Sequence, residues 1–468
     1  MELETMGWIS LLPAIIAIVL SFATKNTIVA LLVACFVGTL VSGQGLLGLP
    51  TIIKEACGTT SFSWVMLLNL YIAIIVAFFH KTGAIQAFSD WVHSKNLSRK
   101  GTQLVAWVLG IFVYFSDSFS PLFVGTVMRD ISDRAKISKE KLSYIADSTA
   151  APVSVLVPVT GWAAYLMSLA VGVGCIVTQD DAQALFLKAI PLNFYPLFAV
   201  ILVGLIASGI VKDFGPMKKA EKRAMEEGKL LRDGATPLIG KELIEMKPYE
   251  GIKPNVALNF VVPVVMIITI ALGTFFTLGS AKTMEAFLYT CIFMAVSMLI
   301  QGIPFKEVME TVTVGIKSGV PAVTLLALAY SVNALSKTMG TANFIVSSCS
   351  GFLTPAVLPA IIFVVACIMA FATGSSWGTF AICMPIALPL AFAYTDGQLT
   401  TLVVACFAAV AGGGVFGDHC SPLSDTTILA STGAGADHID HVKTQLPYSL
   451  TCGVLAFIGY LILGFTSL

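Results

Sequence analysis

Four aspartates are the side chains of this sequence best placed to do chemistry, because each lies in an otherwise apolar stretch. They are Asp117, Asp147, Asp418 and Asp425. A carboxylate in such surroundings is costly and usually marks an ion pathway, a proton relay or a cation site. Hard cations such as Na⁺ prefer oxygen ligands, and the sequence supplies hydroxyl oxygens around these carboxylates and at one further polar site. They belong to Ser118, Ser120, Ser148, Thr149, Thr373, Ser375, Ser376, Ser421, Ser424, Thr426 and Thr427.

A buried carboxylate of this kind suits the exchange of a cation for a proton. Burial disfavours its charged form and a bound cation favours it, so a proton and a cation compete for the same oxygens. For a single serine or threonine, packing at a close helix contact explains the sequence as well as ligation does. No Lys or Arg lies at the centre of a predicted span. We therefore expect no fixed buried cation to hold an anionic substrate, which favours a cationic one.

Composition places these aspartates in a membrane protein. Of 468 residues, 57% are hydrophobic and 12% are charged, and the mean hydropathy is +0.89, which leaves too few polar side chains to cover a water-soluble globule. A helix needs about 20 mainly apolar residues to cross a bilayer. We find ten such segments and predict an all-α polytopic membrane protein with about ten transmembrane helices plus two re-entrant hairpins. The segments are 7–24, 27–42, 62–80, 142–174, 189–211, 255–279, 283–302, 318–336, 399–430 and 446–466.

Basic residues predict the orientation of the chain. Lys and Arg concentrate in 81–100, 129–141 and 212–253, and the positive-inside rule places such segments in the cytoplasm. We therefore expect 212–253 to be a cytoplasmic connector between two membrane repeats, 1–211 and 254–468. Alternation of the spans then puts the N- and C-termini outside.

Each predicted repeat contains a hairpin that enters the membrane and returns, followed by a broken helix. The hairpins are 102–128 and 354–394, and the broken helices are 142–174 and 399–430. Proline and glycine interrupt these segments, and the freed backbone groups are tolerated at membrane depth only where protein or a wet cavity covers them. Inverted repeats with broken helices that meet near the midplane are the architecture of secondary transporters. The polar hairpin tips are 116–121 and 373–379.

Aromatic and imidazole side chains near the breaks are further candidates. Trp162 and Trp377 each follow a polar break and are expected to wall a substrate cavity. His419 adjoins one of the four aspartates, where tuning of that acid and neutral packing explain it equally well. His438 and His441 have a spacing that suits a metal, but we expect them in a solvated joint before the last helix. Ten cysteines without paired spacing are expected to be small buried hydrophobic residues.

Three motifs resemble those of the NhaC family of Na⁺/H⁺ antiporters. The most specific is GDHCSPLSDTT at 417–427, and the others are TGSSWGT at 373–379 and SDSFSPL at 116–122. The resemblance covers essentially the whole chain. It implies a bacterial inner-membrane transporter of the ion-transporter superfamily, with two inverted repeats that each carry a re-entrant hairpin and a discontinuous helix. Because the family includes members that exchange malate for lactate or carry amino acids, the resemblance defines the fold more narrowly than the substrate.

Antiport that exchanges Na⁺, or Li⁺, for protons by alternating access is the leading hypothesis. A Na⁺- or H⁺-coupled carrier of an organic acid or amino acid is the alternative. An intramembrane enzyme also places paired aspartates at membrane depth, but two matched inverted copies argue against a single catalytic site and against a channel. We expect no cofactor beyond the transported Na⁺ and H⁺, and no nucleic-acid partner. A homodimer is compatible with the sequence.

Overall fold

The computed structural model describes residues 6–24, 26–84, 87, 97–114, 117–158, 160–238, 246–278, 282–341, 344, 348 and 354–466. Ser116, at one predicted hairpin tip, lies outside these residues. The described residues form helices and, apart from an isolated bridge between Val173 and Ile176, no β-structure. The helices are α1 (Leu12–Thr24), α2 (Thr27–Val41), α3 (Gly48–Cys57), α4 (Thr60–Lys81), α5 (Arg99–Phe112), α6 (Phe119–Arg134), α7 (Lys139–Ser148), α8 (Ala151–Ser154), α9 (Gly161–Ala170), α10 (Gln179–Ala189), α11 (Phe194–Ala207), α12 (Gly215–Glu226), α13 (Val262–Leu278), α14 (Thr283–Ile300), α15 (Phe305–Thr338), α16 (Leu358–Thr373), α17 (Ser376–Ala393), α18 (Thr401–Cys420), α19 (Asp425–Ala434) and α20 (His438–Thr466).

Several of these helices are long and apolar enough to cross a membrane. Six in the described part of the chain meet that condition, and α10 and α11, bent by 48° at residue 193, make a seventh if they form one span. The all-α polytopic membrane fold is thereby confirmed, while the number of ten spans stays a prediction. The six are Phe62–Lys81, Ala257–Leu278, Phe305–Thr338, Ser376–Ala393, Thr401–Cys420 and His438–Thr466.

Serine side chains cap the N-termini of α7 and α17. The Ser138 hydroxyl accepts a hydrogen bond from the N–H of Lys141 at 3.2 Å, and the Ser375 hydroxyl accepts one from the N–H of Gly378 at 3.2 Å. Such N-caps satisfy amide groups that have no partner within the helix. The caps define the first residues of α7 and α17, and so they define where the preceding polar turns end.

Two buried apolar clusters form the core, and the broken helices pass from one to the other. The first cluster holds α4, α6, α15 and the aliphatic side chains of α7 and α19, and the second holds α8, α16, α17 and α18. The break at 149–150 joins α7 to α8, and the break at 421–424 joins α18 to α19. Each interruption therefore lies at the boundary between two separately packed groups of helices. The division into two inverted repeats stays a prediction.

The turn between α16 and α17 packs directly against the break at 421–424, between α18 and α19. Gly374 has a φ of +64°, in the left-handed region that glycine occupies without steric cost. A Cβ at this position would lie 2.6 Å from the carbonyl oxygen of Leu423. Backbone therefore touches backbone here, and the start of α17 is held against residues 421–424.

The connector 212–253 is anchored where the structure describes it. It contains the helix α12, Gly215–Glu226. Glu221 pairs with Arg99, and Arg223 pairs with Glu140 at 2.9 Å. These contacts tie α12 to the first turns of α5 and α7, so this part of the connector is packed against the helices and does not behave as a loose loop.

Candidate functional site

Asp418 accepts hydrogen bonds from two of the serine hydroxyls that the sequence placed near the aspartates. It lies in the last turn of α18, and 2% of its surface is exposed. Its Oδ1 accepts a hydrogen bond from the Ser424 hydroxyl at 2.6 Å, and its Oδ2 accepts one from the Ser376 hydroxyl at 3.1 Å. The break at 421–424 folds Ser424 back onto the carboxylate, and the first residue of α17 approaches from the other side. Both oxygens therefore face hydroxyl groups, which can either donate a hydrogen bond or ligate a cation.

Asp425 extends this site along the start of α19. It is partly buried at the first position of the helix, where the helix dipole stabilises a negative charge. The hydroxyl of Tyr330, from the middle of α15, donates to its Oδ2 at 3.4 Å. Thr426 and Ser424 share a hydrogen bond of 2.9 Å. A third helix thus adds a hydroxyl to the site, although it lies far away in the sequence.

Asp117 completes a group of three carboxylates that we call the carboxylate cluster: Asp117, Asp418 and Asp425. Asp117 follows the end of α5, is partly buried, and interacts electrostatically with the other two acids. Like charges grouped in a buried site repel one another unless a counter-charge is present. In the described part of the chain no Lys or Arg pairs with any of the three. Protons or a bound cation are the counter-charges that this arrangement accepts.

Two tryptophans lie beside the cluster. The Trp162 indole lies beside Asp117, and its Nε1–H has no hydrogen-bond acceptor among the residues that the structure describes. Trp162 is buried, and its ring contacts Trp377 with the ring centroids 5.7 Å apart, while Trp377 is 40% exposed. Whether the pair walls a substrate cavity stays a prediction.

Several predicted hydroxyl ligands instead bond to the backbone. The Ser421 hydroxyl donates to the carbonyl of Phe371 at 2.8 Å, and the hydroxyl of Ser375 caps α17. Further donors to carbonyls are Ser120, Thr149, Thr373 and Thr427. Ser118 is buried and does not cap α6 through its side chain. The structure therefore concentrates direct contacts with Asp418 on Ser376 and Ser424.

Asp147 lies in a separate buried group that we call the histidine cluster: Asp147, Ser148, Tyr195, His419, His441 and Gln445. The Asp147 Oδ2 accepts a hydrogen bond from Gln445 Nε2 at 2.8 Å and lies 3.1 Å from His441 Nε2. Asp147 and His441 are completely buried. Both of these partners lie on α20, so Asp147 contacts a different set of side chains from Asp418.

His419 belongs to the histidine cluster as well. Its Nε2 lies 3.0 Å from the Ser148 hydroxyl, and its Nδ1 lies 2.7 Å from the Tyr195 hydroxyl. Its side-chain hydrogen bonds are therefore to this cluster, although Asp418 is its neighbour in the chain. Adjacent residues of α18 thus serve different groups, because successive side chains leave a helix in directions about 100° apart.

The prediction that His438 and His441 lie in a solvated joint is wrong. His438 is 3% exposed and His441 is completely buried. His438 Nε2 lies 3.0 Å from the carbonyl of Pro422, and since a carbonyl only accepts, this nitrogen carries the hydrogen. His438 therefore satisfies a backbone group that the break at 421–424 leaves free. The sequence signal was the spacing of His438, His441 and Gln445, which are three and four residues apart and therefore lie on one face of α20.

Arg129 also corrects the sequence-based expectation that no fixed buried cation is available. It lies on α6 and is partly buried. Its Nε donates to the carbonyl of Gly433 at 3.0 Å, and its Nη2 approaches the carbonyls of Gly433 and Thr432. These are carbonyls of the last turn of α19, where a positive charge is favourable. Because Arg129 belongs to the basic segment 129–141, the sequence predicted a cytoplasmic position for it and not this contact.

A comparison with family models decides the class of protein. The model described as the Na⁺/H⁺ antiporter family matches residues 153–465, which includes Asp418, Asp425 and the connector. The chain belongs to the Na⁺/H⁺ antiporter family. The resemblance to NhaC-type antiporters is thereby confirmed, and the protein is a multi-pass membrane transporter and not an enzyme.

Relatives within and around the family differ in what they exchange. An uncharacterised protein of Haemophilus influenzae is 34% identical over 98% of this chain and 91% of its own length. A malate-2H⁺/Na⁺-lactate antiporter of Bacillus subtilis is 30% identical over 44% of this chain and 43% of its own length. An arginine/ornithine antiporter of Halobacterium salinarum is 32% identical over 35% of this chain and 33% of its own length. The two of these relatives whose names state an activity are both antiporters, and they exchange different solutes.

Proposed function

We propose that this protein exchanges Na⁺, or Li⁺, for protons at the carboxylate cluster. The observation that carries the proposal is the contact of Asp418 with the Ser376 and Ser424 hydroxyls at the helix breaks, together with its electrostatic interaction with Asp117 and Asp425. Both side-chain contacts of Asp418 are hydroxyl oxygens, which suits a hard monovalent cation. Mutual repulsion keeps the cluster from remaining fully ionised and empty.

Competition for the same oxygens gives the exchange. When protons neutralise the cluster, they occupy acid oxygens, and the Ser376 and Ser424 hydroxyls, which contact Asp418, hydrogen-bond to the neutral acid. When the protons leave, the same carboxylate and hydroxyl oxygens can ligate Na⁺, and the two states exclude each other. Alternating access then requires the cluster to open to either side of the membrane in turn, and the boundary between the two apolar cores is where such movement would occur.

The placement in the cell is part of the proposal. We propose a bacterial plasma membrane location, which the resemblance to NhaC-type antiporters implies. The positive-inside rule supports a cytoplasmic connector 212–253 and, by alternation of the spans, both termini outside. The two inverted repeats, 1–211 and 254–468, are proposed on the pattern of hairpins and broken helices. The exchange as proposed uses only the transported ions and needs no cofactor.

Proton flux in liposomes tests the proposal. Purified protein is reconstituted with a pH-sensitive dye inside and an imposed pH gradient, and Na⁺, Li⁺, K⁺ or choline is added outside. We expect Na⁺ and Li⁺ to dissipate the gradient, and K⁺ and choline not to. Asp418→Asn should remove the response, whereas Asp180→Asn, which changes an exposed acid at the start of α10, should keep it. Wild-type protein without a Na⁺- or Li⁺-dependent flux contradicts the proposal.

Exchange of an organic acid or amino acid is the second candidate function. Arg129 favours it, because it is a partly buried cation on α6, the helix that begins next to Asp117. Two relatives are named for the exchange of organic or amino acids. Uptake of radiolabelled malate, lactate, arginine and ornithine by the same liposomes tests this candidate. It fails if no labelled solute enters under any imposed Na⁺ or proton gradient.

A further inference from the structure

A narrow cleft separates α4 and α15 on one side from α6 and α19 on the other. Its polar lining consists of Asn69, Thr126, Arg129, Ser318 and Thr432, and the rest is apolar apart from Gly319. The cavity volume is about 30 Å³, and one water needs roughly 10–15 Å³ on this measure. The cleft therefore has space for a group with two oxygen atoms, which is the size of a carboxylate.

Asn69 presents an unused donor to this cleft. It is 2% exposed, and its Nδ2 has no hydrogen-bond partner. A Cβ at Gly319 would lie 3.3 Å from its Oδ1, so the amide oxygen lies against α15 and is held there. A buried amide group without a partner is costly, and a ligand with an acceptor oxygen removes that cost.

Arg129 supplies a second donor. Its recorded hydrogen bonds use Nε and Nη2, and Nη1 has no acceptor among the residues that the structure describes. Asp130 and Asp133 act electrostatically on Arg129, and Asp133 is itself paired with Lys139 at 2.6 Å. Because these charges nearly balance, recognition in the cleft rests on directed N–H donors more than on net charge.

We propose that the cleft between α4, α6, α15 and α19 binds the carboxylate group of a small organic solute, with Asn69 Nδ2 and Arg129 Nη1 as donors. This inference rests on the proposed transport function, because it adds a carboxylate-bearing solute to the ions that the carboxylate cluster handles. Thr432 and Asp425 are seven residues apart on α19, about 10 Å along the helix. The carboxylate subsite and the carboxylate cluster are therefore distinct, and each is tested separately.

Binding by purified protein in detergent, measured by calorimetry, tests the subsite. The probes are L-lactate, L-malate and L-ornithine, with L-lactamide as a neutral analogue of lactate. We expect at least one carboxylate to bind and lactamide to bind at least about tenfold more weakly, because it lacks the charged acceptor. Equal binding of lactate and lactamide overturns the proposal, and so does the absence of binding by all three acids.

Substitution of Asn69 separates ligand binding from a structural role. Asn69→Leu should weaken carboxylate binding by about tenfold, while the melting temperature without ligand stays the same or rises, since the amide nitrogen has no partner to lose. Asn69→Asp keeps the size and should abolish binding by repulsion. If both variants bind carboxylates like the wild type, the cleft holds only water and the proposal is wrong.

The Asp418→Asn variant distinguishes this proposal from that of cation exchange. It should lose Na⁺-dependent proton flux and still bind the carboxylate probe within about twofold of wild type, since Asp418 does not line the cleft and substitutions at independent sites act separately. If carboxylate binding disappears together with the flux, no separate subsite exists. If wild-type protein binds the carboxylate but shows no Na⁺-dependent flux, cation exchange fails and the subsite stands.

Discussion

The carboxylate cluster and the histidine cluster have adjacent members on α18, Asp418 and His419. Their aspartates nevertheless have different kinds of hydrogen-bond partner. Asp418 meets two hydroxyl groups and two other acids, whereas Asp147 meets a histidine nitrogen and an amide N–H. Hydroxyls can turn their lone pairs towards a cation, but an amide N–H cannot. An aspartate at membrane depth is therefore a candidate cation ligand only when its neighbours can also be ligands.

Loss of the Asp418 charge should produce the largest effect. In Asp418→Asn the shape and the Ser424 contact are largely kept, but the charged ligand is removed, which costs on the order of 3 kcal/mol in a buried site. Na⁺-dependent proton flux should fall by at least about 100-fold, since that cost corresponds to roughly two factors of ten. The measurement is the liposome assay, with folded protein confirmed by size-exclusion chromatography. Flux within tenfold of wild type would show that Asp418 is not the main ligand.

Asp147→Asn should instead affect stability and leave Na⁺ affinity unchanged. The substitution weakens the contacts with His441 and Gln445, which should lower the unfolding free energy by about 1–3 kcal/mol. Thermal unfolding should therefore begin at a lower temperature, while the KM for Na⁺ stays within twofold of wild type. A large increase in that KM would place Asp147 in the cation site and remove the distinction between the clusters.

Two serines of the same break provide a matched pair. Ser424→Ala removes the 2.6 Å hydrogen bond to Asp418, and a bond to a charged group is worth about 1.5–3 kcal/mol. The KM for Na⁺ should rise about tenfold. Ser421→Ala removes a bond to the Phe371 carbonyl and should leave the KM unchanged. If Ser421→Ala had the larger effect on KM, the assignment of ligands within the break would be reversed.

Tyr330→Phe should have the smallest effect of the series. Its hydroxyl lies 3.4 Å from Asp425, near the limit of a hydrogen bond, so a loss of about 0.5 kcal/mol is expected. The KM for Na⁺ should rise about twofold, with the melting temperature unchanged, as measured by the flux assay and thermal unfolding. A change as large as that of Ser424→Ala would make Tyr330 a direct ligand.

Local sequence predicts the helix breaks well and the partners of each side chain poorly. Pro422 and the polar residues around it interrupt an apolar run, so a break near 421–424 follows from hydrogen bonding alone. The contact of Asp418 with Ser376 joins residues 42 positions apart, and the contact of Asp147 with His441 joins residues 294 positions apart. Such pairs depend on how the helices pack against one another. No fixed spacing in a single sequence indicates them.

Charge in the sequence was also misleading at two places. Arg129 belongs to a basic segment of the kind that flanks membrane spans, yet it reaches the end of α19. His438 and His441 stand among charged residues, yet α20 buries both. In each case tertiary contacts supply hydrogen-bond partners that offset the cost of burial, and these partners come from other helices.

The ion pairs between the connector and the helices α7 and α20 constrain which substitutions can accumulate in the connector during evolution. Lys141 and Glu140 are almost completely buried and pair with Asp213 and Arg223 of the connector, and Arg232 pairs with Asp440 at the start of α20. Replacing one member of a buried pair leaves an unpaired charge, which costs about 3–5 kcal/mol. Substitutions in the connector are therefore tolerated mainly when α7 or α20 changes with them. The most hydrophilic stretch of the chain, which would ordinarily be the freest to vary, should show paired exchanges of charge among homologous sequences.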